Sequence, residues 1–551
     1  MSESFIQSAP SLGDVYQEDA FLRGYLRRKL PSDVLREVEP QLAELAGRSG
    51  GELYRLQLED RQNEPRLVRW SAWGERIDRI ELAPLWRRAG EIAARSGLIA
   101  IPYERAYGRY SRIYQFAAVH LFHPSSDMYT CPLAMSDGAA RTLLVAGHEP
   151  LIARALPRLT SRDPQSAWTS GQWMTELIGG SDVGASLTRA VREDGVWRLY
   201  GRKWFTSAIT SQMALTLARP EGAGPGGAGL AMFYVETRDA QGRPNGLRVD
   251  RLKDKLGTRK LPTAELTLEG ARAELVGEAR NGVRQIEPML MVTRTWNAVT
   301  SASLMRRALM LARSYAGRRR AFGAKLADLP LHVDTLAGLE AEARGAFLLA
   351  FELVELMGRL EAGEIDDSQR ALLRLATPIA KLLTAKQAVA VLSECIEAFG
   401  GAGYVEDTGL PALLRDAHVL PIWEGTTNVL ALDAVLRSEL PRSLPALCER
   451  IKRCHVAVSE PRLVKAVAQA RDAVLHAEQR LQKGQIQSDA RRLAMTLGRA
   501  LQLALLAEHA QWELDTLGRR GGVAAAARYA AAPVDLLSDL DPADSTLLLH
   551  E

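Results

Sequence analysis

Cysteine is scarce. The 551-residue chain has four (Cys131, Cys395, Cys448, Cys454), scattered and without the CxxC spacing of a zinc site. They cannot form the disulfide framework of a small secreted scaffold, and their scarcity predicts a reducing, cytoplasmic setting. The nine histidines show no HExxH or other closely paired ligand spacing, so no metal site is expected. No GxSxG elbow marks a hydrolase nucleophile, and no GxGxxG segment supports a Rossmann domain. No apolar run approaches the ~18 residues of a membrane span. The opening MSESFIQSAPSLGDVYQ lacks the basic start and apolar stretch of a secretory leader. Net charge is only +4, which excludes a polyelectrolyte.

What remains is ordinary globular composition, 47% hydrophobic and 25% charged, with length for two to four domains. Residues 1–170 read as an N-terminal extension and helical domain. Within it, LPSDVLREVEPQLAELAGRSGG looks like an amphipathic helix ending at Gly50–Gly51, and APLWRRAGEIAARSGL and IYQFAAVHLFHP look like others. At 171–275 the texture becomes that of a β domain. VWRLYGRKWFTS, MALTLA, LAMFYVETR, GLRVDRL and AELTLEG are short, rich in β-branched and aromatic residues, and separated by turn formers. Helical periodicity returns at 276–440, where Leu304, Ala308, Leu311 and Tyr315 lie on one stripe and Leu382, Ala385, Val389, Leu392, Ile396 and Phe399 on another. Residues 441–551 predict an additional helical region with an acidic tail.

Four segments carry candidate chemistry. Met174-Thr175-Glu176-Leu177-Ile178-Gly179-Gly180-Ser181 contains a Gly-Gly-Ser turn that can hold an anion or a heteroaromatic edge, or be a plain turn. Lys203-Trp204-Phe205-Thr206-Ser207 can pack an aromatic on a flat ring and hydrogen-bond its edge, or be ordinary strand. Arg318-Arg319-Arg320-Ala321-Phe322-Gly323 can bind phosphate or complement a helix dipole. The longest runs from Phe399-Gly400-Gly401-Ala402-Gly403-Tyr404 through Leu414-Arg415-Asp416-Ala417 to Ile422-Trp423-Glu424-Gly425-Thr426-Thr427-Asn428.

In this order and at these separations, and with RLKDKLGTRKLPTAELTLEG (251–270) between them, the segments resemble the acyl-CoA dehydrogenase family over roughly residues 80–440. NEPRLVRWSAWGERIDRIELAPLW (63–86), TCPLAM (130–135), IWEG and the extension past 440 are similar to the family's AidB branch. The resemblance implies an α+β, mostly α fold: an N-terminal helical domain, a middle β-barrel-like domain and a C-terminal four-helix bundle, plus the extra C-terminal helices. It implies FAD as cofactor, with Met174, Thr175, Gly180 and Ser181 along the flavin, Phe205 packed on its ring, and Thr206 and Ser207 at its edge. Trp423, Thr426 and Asn428 line the same cofactor, while Arg319, Phe322, Gly400 and Gly401 reach the FAD of a neighbouring subunit. Such sharing implies a homo-oligomer, commonly a tetramer. Two family glutamines that contribute to the contacts between subunits are replaced here, by Pro330 and Glu397.

On the same resemblance Glu424 is the general base, taking the α-proton of an acyl thioester while flavin accepts the β-hydride, with burial expected to strengthen it as a base. The alternative is a carboxylate that caps a local turn. Expected partners are an acyl-CoA or another acyl chain and electron-transferring flavoprotein. Residues 441–530 hold 15 Lys+Arg against 8 Asp+Glu. Arg442, Arg450, Lys452, Arg453, Arg462, Lys465, Arg491, Arg492, Arg519 and Arg520 can form a basic face, which in the AidB branch binds duplex DNA; solvated bundle surface or a subunit interface is the other reading. Three functions thus stay open: a dehydrogenase, a DNA-associated flavoprotein, and an acyl-chain binder without turnover.

Overall fold

A computed structural model of the chain describes residues 9–482 and 486–551. The segment read for a leader therefore begins outside the described residues. Helices precede, and then follow, a closed strand barrel. The helix Pro84–Arg95 shows why the helices form and pack. Proline stands in its first turn, and Leu85, Trp86, Ala89, Ile92 and Ala93 make one buried face.

In the barrel, strand Met213–Pro220 pairs with Arg189–Glu193, which pairs with Val196–Ser207, then Thr263–Val276, then Ala231–Glu236, which closes back on Met213–Pro220. Ser170–Trp173 and Leu247–Leu252 extend the sheet. The five strand segments read from the sequence are all present; Ser170–Trp173 and Arg189–Glu193 are further strands.

The bundle is built on three long helices, Glu287–Ala316, Pro330–Ala362 and Asp367–Glu397, with its remaining wall divided between Leu410–Ala417 and Thr427–Leu432. Asp367–Glu397 is long and apolar enough to cross a membrane by length and composition, a property the sequence reading missed. Here 83% of its most apolar stretch is buried within the protein, where it forms the centre of the bundle.

One expectation needs correction, and two features go beyond the sequence reading. The mainly helical N-terminal region also holds two strands. Arg66–Trp70 and Arg76–Glu81 form a hairpin that covers the edge of strand Leu247–Leu252, with Val249 N donating to Asp78 Oδ2 (3.0 Å) and Arg76 Nη2 donating to Val249 O (3.0 Å). The helix Ser32–Arg48 does not end at Gly50–Gly51. It continues through a π-turn, Ser49–Leu53, into Tyr54–Glu59. Gly50 serves close packing, because a Cβ there would lie 2.6 Å from Val15 Cγ2. Finally, the additional C-terminal helices pack onto the bundle. Ile486–Leu517 lies on the bundle, where Gln502 exchanges hydrogen bonds with Gln387 (2.9 and 2.8 Å) and Arg499 Nη2 meets Glu342 Oε1 at 3.0 Å. One continuous apolar core runs from Val15 to Val534.

Candidate active site

The site is assembled from backbone outward. Glu176 is almost fully buried and faces away from solvent. Its carboxylate accepts from Leu187 N (2.6 Å), Thr188 N (3.2 Å), Thr188 Oγ1 (2.6 Å) and the Nζ of Lys203 (2.9 Å). Burial alone would raise the Glu176 carboxyl; Lys203 and the Thr188 hydroxyl outweigh it and hold it below the usual range. This buried pair pins the Gly-Gly-Ser segment to the strand carrying Phe205, and Trp204 N donates to Thr175 O (2.9 Å) beside it. The exposed residues Leu177, Ile178, Gly179, Gly180 and Ser181 therefore lie on a firmly tied loop.

The strand Val196–Ser207 shifts register between Lys203 and Thr206, a bulge that turns both Trp204 and Phe205 outward. Phe205 is 49% exposed. Lys253 Nζ lies 3.3 Å from the Trp204 ring centroid and 4.7 Å from that of Phe205. Thr206 departs from expectation. It points into the barrel, fully buried, and its hydroxyl donates to Ala264 O (2.7 Å). Strand alternation places it opposite Phe205 and Ser207, which removes it from the cofactor set. A cavity of about 250 Å³ adjoins this edge, lined in part by Trp86, Tyr129, Leu133 and Ala208.

Glu424 stands half-buried on a left-handed backbone (φ 57°), followed by Gly425 at φ 103°. Thr293 Oγ1 donates to its Oε2 (2.7 Å), whereas Oε1 has no donor among the described residues. Arg294 Nε donates to Glu424 O (3.3 Å) and Lys381 Nζ to Gly425 O (2.7 Å). Thr293, Arg294 and Lys381 were not singled out in the sequence. Nothing local marks them, because they lie on two helices that reach Glu424 only through the fold. Trp423 packs against the apolar cluster that holds Met174, Cys131 and Met135, and its Nε1 donates to Asn297 Oδ1. Burial pushes the Cys131 thiol up to about 12, with the Glu424 carboxylate adding to it, so Cys131 is a neutral wall of the site.

The 251–270 segment docks on the Arg415-Asp416-Ala417 stretch. A Cβ on Gly257 would lie 2.2 Å from Arg415 O, and Thr258 N donates to Asp416 Oδ1 (2.6 Å). Burial, with Asp127 nearby, pushes the Asp416 carboxyl up to about 7.

The remaining candidates form a second group. Tyr315 and Phe399 are buried with ring centroids 5.0 Å apart, and so join the segments bearing Arg319 and Phe322 to those bearing Gly400 and Gly401. Phe322 is 97% exposed, and a Cβ on Gly400 or Gly401 would meet nothing within 4 Å. Thr426 and Asn428 are exposed, and Arg491 Nη1 donates to Asn428 Oδ1 (3.4 Å).

The basic face is dispersed. Arg450 is only partly exposed (13%), held by Glu352 (2.6 Å) and Glu508 (3.0 Å), and leaves the set. Arg492 pairs with Asp489 (2.5 Å), and Arg520 lies 3.8 Å from Glu460. Arg491 and Arg492 stand near the start of helix Ile486–Leu517 and Arg519 and Arg520 beyond its end. At ~1.5 Å per residue the two pairs are about 40 Å apart, so they form no single patch.

Comparison with known proteins agrees with this architecture. Residues 171–271 match the profile "Acyl-CoA dehydrogenase, middle domain", residues 280–438 "Acyl-CoA dehydrogenase, C-terminal domain", and residues 8–165 "Adaptive response protein AidB N-terminal domain". Acyl-CoA dehydrogenase family member 11 of Caenorhabditis elegans is 43% identical over 92% of this chain and 86% of its own length. AidB of Escherichia coli (strain K12) is 32% identical over 73% of each. The crystal structure of Caenorhabditis elegans ACDH-11 in complex with C11-CoA superposes with a TM-score of 0.95 at 40% identity, covering 100% of this chain and 97% of that one.

Proposed function

Because the chain belongs to the acyl-CoA dehydrogenase family, whose members are FAD-dependent, we propose that it oxidises an acyl-CoA thioester at its α and β carbons with Glu424 as general base. The observation that carries this reading is the state of the Glu424 carboxylate: one oxygen is fixed by Thr293, and the other is free to take a proton.

The residues fit a flavin. An aromatic face is turned outward at Phe205 by the bulge, a tied loop presents Gly179, Gly180 and Ser181 beside it, and the backbone N–H of Glu424 has no acceptor among the described residues. Met174, Thr175, Gly180, Ser181, Phe205 and Ser207 would hold the cofactor. When bound, it supplies the acceptor for the β-hydride. The chain's own part is electrostatic and positional. The unpaired Glu424 amide is a donor for a thioester carbonyl, whose developing negative charge makes the α-proton removable. Thr293 fixes one carboxylate oxygen and leaves the other without a donor among the described residues. Trp423, Met135 and the neutral Cys131 keep that side apolar.

A C11 thioester is the first substrate to try, since the worm relative was crystallised with one. The exposed Phe322 and Tyr404, the latter 91% exposed, support a homo-oligomer in which the second group of residues completes a neighbour's cofactor site. Electron-transferring flavoprotein is the acceptor that the reading favours. The test is anaerobic titration of the purified yellow protein with straight and branched acyl-CoAs. Loss of the visible flavin band with at least one of them is expected; an oxidised spectrum with every one would refute dehydrogenation and favour an acyl binder.

A further inference from the structure

Glu424 is a non-glycine residue held in left-handed backbone, a conformation that persists only where the surroundings impose it. Local side chains do not impose it, since nothing on the 422–427 stretch bonds back to it. The restraint comes from the bundle. Lys381 projects from helix Asp367–Glu397 with no exposed surface, and its Nζ donates to Gly425 O at 2.7 Å. Arg294, on helix Glu287–Ala316, donates to Glu424 O at 3.3 Å and is itself fixed by Asp433, with Nη1 to Oδ2 at 2.8 Å. Two cations thus hold two consecutive carbonyls from the same side.

Peptide planarity turns this into a functional constraint. In a trans peptide the N–H points opposite to the preceding C=O. Drawing the carbonyls of Glu424 and Gly425 toward the bundle therefore turns the amides of Gly425 and Thr426 away from it. The amides of Glu424 and Thr426 have no acceptor among the described residues.

We infer that Lys381 and Arg294 are positioning residues that clamp the Glu424–Gly425 carbonyls, so that the carboxylate and the unpaired amides are presented together to the groove. The inference rests on the reading of Glu424 as general base for its consequence, but not for its geometry. Burial, with Arg294 nearby, pushes the Lys381 ammonium down to about 7, while the Glu424 carboxylate opposes the fall.

The variant Lys381→Met keeps most of the apolar stem and removes the donor to Gly425 O. Lys381→Gln, with a shorter donor, serves if the Met variant does not fold. Crystal structures of both, as full chains with cofactor, should show Glu424 leaving the left-handed region and its carboxylate displaced by more than about 1 Å, a shift that costs on the order of 100-fold in rate. In the same proteins kcat for flavin reduction should fall about 100-fold, while acyl-CoA binding changes by less than about 3-fold. An unmoved Glu424 backbone in the variant would overturn the clamp, whatever the activity. A moved loop in a protein whose wild type never reduces flavin would uphold the clamp and refute the dehydrogenase reading instead.

Discussion

Asp416 offers a pH experiment with a defined sign. Its carboxyl is pushed up from the ordinary 3.8 to about 7 by burial and by Asp127, while Thr258 N, Lys255 and Arg415 oppose the rise. Between about pH 4 and 7 the folded protein therefore holds a proton at this site that the unfolded chain has released, so stability falls as pH rises through that window and levels off above it. Three units at ~1.36 kcal/mol each amount to about 4 kcal/mol at pH 8. The variant Asp416→Asn removes the ionisation and keeps an oxygen for Thr258 N. For a 551-residue chain melting as one unit, with an unfolding entropy of ~2.1 cal/mol/K per residue, that difference corresponds to about 3–4 °C in Tm. Differential scanning fluorimetry of both proteins from pH 4.5 to 8.5, at one scan rate, should show them nearly coincident at the acid end and the variant higher by that amount at the alkaline end. A difference that stays constant with pH, or that has the opposite slope, would refute the reasoning.

Other perturbations test how the groove and the bundle are held. Phe205→Ala should weaken FAD binding by about 10-fold or more through loss of ring packing, measured by titrating apo-protein with flavin fluorescence. Lys203→Met should leave Glu176 buried without its counter-ion and destabilise by about 3–5 kcal/mol. The double variant Glu176→Gln/Lys203→Met should recover most of that in a thermal-melt cycle, and strict additivity would show that the pair is not coupled. Arg450→Met strands Glu352, while Glu508 keeps Arg28 (2.9 Å), and should cost about 3 kcal/mol and speed proteolytic cutting within the C-terminal helices.

Much of the fold was legible because the signals were local and repeated. Five strand segments announced themselves by β-branched and aromatic runs, and the buried stripe Leu304, Ala308, Leu311, Tyr315 by its spacing. What escaped depended on tertiary context. The glycine pair at 50–51 looks like a helix end until Val15 is found against it. The 66–81 hairpin is short and half polar, and its reason for being is a strand edge some 170 residues away. Within the candidate site, Glu424 and Phe205 are proposed from motifs, whereas the inward facing of the Thr206 side chain follows from a bulge that leaves no trace in composition. Arg450 looked like surface charge, and its two acidic partners come from distant helices. The Glu424 partners Thr293, Arg294 and Lys381 are invisible for the same reason.

The central claim is that the free oxygen of Glu424 takes the α-proton of an acyl-CoA. Stopped-flow mixing of C11-CoA with wild type and Glu424→Gln, matched for flavin content, measures it directly. The rate of loss of visible absorbance should fall by about 100- to 10,000-fold in the variant, with ligand binding retained. Equal rates in the two proteins would contradict the account.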